Sequence, residues 1–180
     1  MLKITVPASE RYNELTDEFI TVKEQNLQLE HSLVSLSKWE SKWCKPFLKN
    51  EDKTAEEHLD YIRCMTLTQN VDPNVYYNLS KANYEEINNY IDAPMTATWF
   101  SDRDSKGGSR EIITAEIIYY WMINFNIPFE CQKWHLNRLL TLIRVCSIKN
   151  SPPKQMSRSE MFSRNRALNE ARKKAMNSRG

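Results

Sequence analysis

The stretch CQKWHLNRLLTLIRVC, Cys131 to Cys146, sets His135 between two cysteines and beside Trp134. Thiolate and imidazole are zinc ligands and the partners in thiol catalysis, so the segment reads as a metal site, a reactive thiol or a buried helix. On one helix Cys131 and His135 share a face and offer two zinc ligands. Cys146 then lies about 16 Å further along the axis, far beyond a ligand bond of about 2.3 Å. Closing a site would require His31, His58, Cys44 or Cys64 to converge, and no spacing brings them there. A thiol beside a histidine also needs a third, orienting group and an electropositive, partly exposed setting, and neither is visible. The adjacent acids Glu56-Glu57 and Glu85-Glu86 suit helix caps and solvated faces rather than an acid–base dyad.

Glycine occurs only as Gly107, Gly108 and Gly180. Phosphate-cradling loops and dinucleotide fingerprints, which need backbone without Cβ against the ligand, are therefore excluded. The four cysteines are scattered without a CxxC pair, as in a reducing compartment, so no disulfide is expected. The expectation is a chain with no catalytic residue, cofactor or metal, in which His135 is a satisfied core or interface histidine and the cysteines are reduced and inert.

At 180 residues and 41% hydrophobic content, the chain is long enough to bury a core. No apolar run is long enough to span a membrane, and MLKITVPASER lacks an apolar signal core, so export is not expected. Leu2, Ile4 and Val6 alternate with polar residues up to Pro7, which predicts a strand. Phe19–Val22 and Leu27–His31 are strand-like and suggest a small antiparallel element. Leu33, Leu36, Trp39 or Glu40, and Trp43 fall at helical spacing after Ser32, and Pro46 ends the run. Thr54-Ala-Glu-Glu57 is a capping box opening a helix to about Thr68, burying Leu59, Ile62, Tyr61 and Met65. Asp72-Pro73 predicts a turn, Ser80 to Asp92 a helix, and Asp104 to Gly108 the tip of a hairpin flanked by Ala97–Phe100 and Arg110–Ile113. Thr114–Asn126 and Phe129–Lys149 are the most apolar helices and the expected centre of the core, the second nearly enclosed by protein. The fold class expected is α+β and mainly helical: a small antiparallel N-terminal sheet and a hairpin packed with a helical core, plus a C-terminal helical tail.

Ser151-Pro-Pro marks a linker between a body, residues 1–150, and a tail, residues 151–180. The tail sets eight basic residues against Glu160 and Glu170, a net charge of +6. With +2 for the whole chain, the body carries −4. Ser157-Arg-Ser-Glu160 is a second capping box, opening a helix from Arg158 to about Met176. Its apolar residues form only a narrow stripe, so Arg158, Met161, Phe162, Arg164, Arg166, Leu168, Arg172, Lys173 and Lys174 are the candidate partner-binding residues, for an acidic surface or for phosphate. The tail has no tryptophan or tyrosine to stack on bases, which disfavours nucleic acid. Five tryptophans and eight tyrosines divide between core and interface in a way the sequence alone does not sort.

The segment NIPFECQKWHLNRLLTLIRVCSIKN, Asn126 to Asn150, the proline-containing linker after it and the ending RNRALNEARKKAMNSRG resemble tail assembly chaperones of siphovirus-type bacteriophages. The similarity in pattern reaches back through LEHSLVSLSKWESKW, Leu29 to Trp43. The resemblance implies a non-enzymatic protein of the host cell cytoplasm, absent from the mature virion. It also implies binding to the tape measure protein to keep it soluble, and recruitment of tail tube protein. A longer frameshift product or further copies of the chain would be additional partners, with no membrane involved. Three rivals stand beside it: a nucleic-acid-associated phage or regulatory protein acting through the basic tail, a thiol or metal enzyme, and a structural virion protein.

Overall fold

The computed structural model describes residues 1–13, 18–49, 52–100, 112–151 and 158–176. Its chain divides into two compact units, Met1–Ser147 and Ile148–Gly180. The fold is α+β and mainly helical, with a small antiparallel sheet and a hairpin.

Four strands open the first unit: β1 (Leu2–Val6), β2 (Ser9–Asn13), β3 (Glu18–Val22) and β4 (Gln25–Leu29). β1 pairs with β4, and β2 with β3, both antiparallel. Leu2 faces Leu29 and Ser9 faces Val22, so the two ladders continue one register, interrupted at Pro7-Ala8 and Lys23-Glu24. Pro7 has no N–H to donate, which accounts for the gap. The strand-like runs expected at Phe19 and Leu27 therefore do not pair with each other, and β2, SERYN, was hidden by its polarity. Alternation buries Ile4, Val6, Leu27 and Leu29 on one face.

Helix α1 (Leu33–Trp43) starts at Ser32, whose hydroxyl accepts from Ser35 N while Ser35 Oγ receives Ser32 N. It ends where Cys44 turns left-handed and donates to Glu40 O, ahead of Pro46. Helix α2 (Ala55–Met65) has the capping box expected of Thr54 and Glu57, and buries Leu59, Tyr61, Ile62 and Met65 as its periodicity requires. After a 3-10 turn at Pro73–Asn78, helix α3 (Lys81–Asp92) is capped by Ser80 and buries Ile87 and Tyr90. One apolar cluster joins the β1–β4 face, Trp39, α2 and α3. A second gathers Leu33 and Leu36 with helix α4 (Ala115–Asn124) and helix α5 (Leu136–Asn150). Helix α1 contributes to both.

Two expectations for the second cluster are corrected. The run from Phe129 to Lys149 is not one helix: Phe129–Lys133 is a 3-10 turn, Trp134 is extended, and α5 begins at Leu136. The break comes where His135 forms an antiparallel bridge with Ser32 and Leu136 N donates to His31 O. Nor is α5 enclosed, since only Leu136, Leu139 and Ile143 are buried. Its remaining leucines, Leu140 and Leu142, are half-buried. The flanks of the expected hairpin, Ala97–Phe100 and Ile112–Ile113, carry no strand, and its tip lies outside the described residues.

Thr114, at the N-terminus of α4, makes no side-chain cap. The buried Glu40 of α1 does this instead: its Oε2 accepts from Ala115 N at 2.7 Å and its Oε1 from Phe47 N at 2.8 Å. A carboxylate at a helix N-terminus also faces the positive end of the helix dipole. In the second unit, α6 (Arg158–Met176) exposes every described side chain, with Arg166 and Glu170 4.0 Å apart at i,i+4. The Ser157 cap lies outside the described residues.

Removing the Glu40 carboxylate strands two backbone donors. Glu40→Ala is expected to lower unfolding stability by about 3 kcal/mol, and Glu40→Gln, which keeps one acceptor oxygen, by less. Urea denaturation followed by circular dichroism measures both; a Glu40→Ala midpoint equal to wild type would refute the role given to this carboxylate.

Candidate functional site

Cys131 and His135 are both buried, but the break before α5 removes the common helix face on which their pairing as ligands depended. His135 Nε2 lies 2.9 Å from Tyr90 O, and its Nδ1 accepts from Asn137 N at 3.3 Å. With Nε2 donating to the carbonyl, one neutral tautomer satisfies both nitrogens. Among the described residues, no group of three or more His, Cys, Asp or Glu side chains is placed to hold a metal ion.

His135 belongs to a polar aromatic seam between the two clusters. Its ring centroid lies 5.1 Å from that of His31 and 4.9 Å from that of Tyr90, both edge-on. His31 Nδ1 and the Tyr61 hydroxyl are 2.6 Å apart, and Tyr90 donates its hydroxyl to Glu30 Oε1 at 2.6 Å. Burial, with His135 alongside, lowers the His31 pKa to about 4. Burial lowers that of His135 as well, against the pull of the Tyr90 carbonyl. Tyr61 is raised by burial, and Tyr90 by burial and the neighbouring Glu30. The seam is thus neutral and hydrogen-bonded, which suits fixing two halves of a core rather than moving protons.

The chemistry the first unit offers to the outside is apolar contact. Helix α4, AEIIYYWMIN, is apolar around nearly its whole circumference, yet only Ala115, Ile118 and Met122 are buried. Tyr120 is 63% exposed and Ile123 60% exposed, with Ile117 and Trp121 half-buried. Two concavities lie along α5. One, of about 320 Å³, is lined by Trp121, Phe125, Leu140, Ile143, Arg144 and Ser147. The other, of about 370 Å³, is lined by Trp99, Phe100, Asn137, Leu140, Thr141 and Arg144, with Pro94, Thr96 and Thr98. They share Leu140 and Arg144, so they form one groove with a low ridge. Asn137 anchors the Trp99 side by donating to Ile91 O and Ala93 O at 2.9 Å each. Trp99 itself is 89% exposed. A further concavity of about 410 Å³ lies among Phe47, Lys53, His58, Tyr61, Tyr84 and Ile87, away from α4.

The candidate partner-binding residues of the tail, Arg158, Met161, Phe162, Arg164, Arg166, Leu168, Arg172, Lys173 and Lys174, all lie on α6. Phe162 is 73% exposed, and Met161 and Leu168 are about half exposed. The groove residues Trp99, Trp121, Leu140 and Arg144, and the exposed Tyr120 of α4, were not singled out from sequence as a site, because α4 and α5 read as core. The available signal was the excess: a helix apolar all round, in a body this small, has more apolar surface than its neighbours can cover.

No family model, curated protein or solved structure matches this chain. Among the described residues, no helix is long and apolar enough to cross a membrane.

The buried seam makes stability depend on pH. In the unfolded chain His31 begins to protonate near its ordinary 6.5, whereas the folded ring stays neutral down to about 4. Between those values the unfolded state binds more protons, so stability is full above pH 6.5 and is lost as pH falls toward 4. The loss attributable to His31 is about 3 kcal/mol. Glu57, held low first by its hydrogen bond from Lys45 and then by that from the Thr54 backbone, adds its own loss only below the ordinary carboxylate range. Urea midpoints from pH 7 to 4.5 should therefore slope downward, and His31→Gln should flatten that slope; an unchanged slope would assign it elsewhere.

Proposed function

We propose that the chain is a non-enzymatic assembly chaperone of the siphovirus tail type, which shields apolar helical segments of the tape measure protein and helps bring tail tube subunits to them. The observation that carries this reading is exposed apolar surface of two kinds: Tyr120 and Ile123 on α4, and the Leu140–Arg144 groove to which α4 contributes Trp121. An exposed apolar surface of this kind lowers solubility unless it has an occupant, and a groove walled by tryptophan, phenylalanine and leucine suits the apolar face of a helix. Aromatic walls also adapt to many related helices, as a long repetitive client requires. The α6 helix supplies a separate basic surface for an acidic second partner or another copy of the chain. The protein acts in the host cytoplasm and leaves before the virion is complete.

The test is recovery of partners from nuclease-treated lysate of phage-producing cells, with the full chain and two variants as baits. Wild type should retain a long heptad-rich protein. Tyr120→Glu with Ile123→Glu, both on the exposed face, should reduce that recovery by about tenfold or more while the circular dichroism spectrum is preserved. Arg166→Gln with Arg172→Gln should leave that partner bound and lose a different one. Retention that disappears with nuclease would put the nucleic-acid reading in its place, and finding the chain in purified virions would make it a structural component.

A further inference from the structure

Arg144 stands on the ridge between the two concavities, exposed, with its guanidinium 4.0 Å from the centroid of Phe100. A guanidinium laid on an aromatic ring is held in place by its face, and its N–H donors project from the edge in the fork geometry that suits a carboxylate. Among the described residues, no carboxylate pairs with it. The ridge is therefore a fixed positive charge with apolar walls on both sides.

We infer that this groove takes an amphipathic helix of a partner protein that carries a carboxylate between apolar anchors, with Arg144 reading the acid. The inference rests on the reading of the chain as a binder of apolar helices and names the chemistry of the segment bound. Apolarity and charge together select this occupant over the others the chain itself could supply. Residues 101–111, SDRDSKGGSRE, carry Asp102, Asp104 and Glu111 but no apolar side chain to fill either wall. The α6 helix of a second copy would bring Arg164, Arg166, Arg172 and Lys173 toward a groove that is already positive. An acidic amphipathic helix satisfies both walls and ridge, and like-charged competitors are disfavoured there.

The probes are two fluorescein-labelled synthetic helical peptides with the same leucine pattern, one with glutamates flanking the leucines and one with lysines in their place. Fluorescence anisotropy with the full chain should show the acidic peptide binding about tenfold more tightly or better, as one charge-assisted hydrogen bond pair provides. Arg144→Glu should reverse that preference, Arg144→Gln should abolish it, and Trp121→Ala should weaken the acidic peptide with the circular dichroism spectrum retained. If the two peptides bind equally, weakened by Trp121→Ala yet indifferent to Arg144, the inference falls while the helix-binding reading stands. A preference that survives Arg144→Glu but vanishes with Arg166→Gln and Arg172→Gln would place the acid on α6 and overturn it. Sedimentation showing a dimer dissolved by Trp121→Ala would make a second copy the occupant. If neither peptide binds, both the inference and the reading beneath it fall.

Discussion

Glu40 lies on α1 between the two apolar clusters, with one carboxylate oxygen on Phe47 N and the other on Ala115 N. Burying a charge is unfavourable unless its acceptor sites are filled, and here each oxygen meets a backbone donor that would otherwise be stranded. One side chain thus closes the loop after α1 and sets where α4 begins, far away in sequence. Because α4 is capped from α1 rather than by Thr114, its orientation is tied to the first cluster as well as to the second. The helix is held by one face and one end, and among the described residues Tyr120 and Ile123 on its other side stay largely exposed.

Helix α1 and the loop after it are tied to α2 by contacts of unequal weight. Lys42 with Asp60 and Lys45 with Glu57 are ion pairs whose lysines are more than half exposed, so solvent screens much of their attraction. The Trp39 indole N–H on Glu57 O and the Trp43 indole N–H on Asp60 are stronger determinants of register, since each also fixes a large ring in the packing. His31, Tyr61, His135 and Tyr90 extend the polar seam past the other end of α1. A core stitched by directional bonds resists sliding, and a groove on its outer helices keeps its shape only if those helices do not slide.

Local chemistry was legible in the sequence wherever the determinant was local. Thr54 and Glu57 announce the start of α2, Leu33, Leu36 and Trp39 announce the buried side of α1, and alternation announces β1. Pairing was not legible for β2, whose polar residues carry no buried face. The break at Trp134 was also hidden, because its cause is the bridge from His135 to Ser32, a contact across most of the chain. Burial of α4 and α5 was misread for a related reason: periodicity says how much apolar surface a helix has, and not how much of it neighbours cover. The groove was visible in composition, as the surplus aromatics of α4, and its location was not.

Charge and apolar surface are segregated along this chain, and that segregation bears on how one small protein could serve two partners. The first unit presents tryptophan, phenylalanine and leucine around a single ridge arginine, while α6 presents arginine and lysine around a narrow apolar stripe. Under the proposed reading, binding at the groove would be driven mainly by apolar area with one charged contact at Arg144, and would weaken less with salt than electrostatic binding at α6. The two surfaces therefore respond to different competitors. On that reading a client helix would be displaced from the groove by another apolar surface that covers it better, with a contact at α6 untouched, so that release of the client would not require release of the second partner.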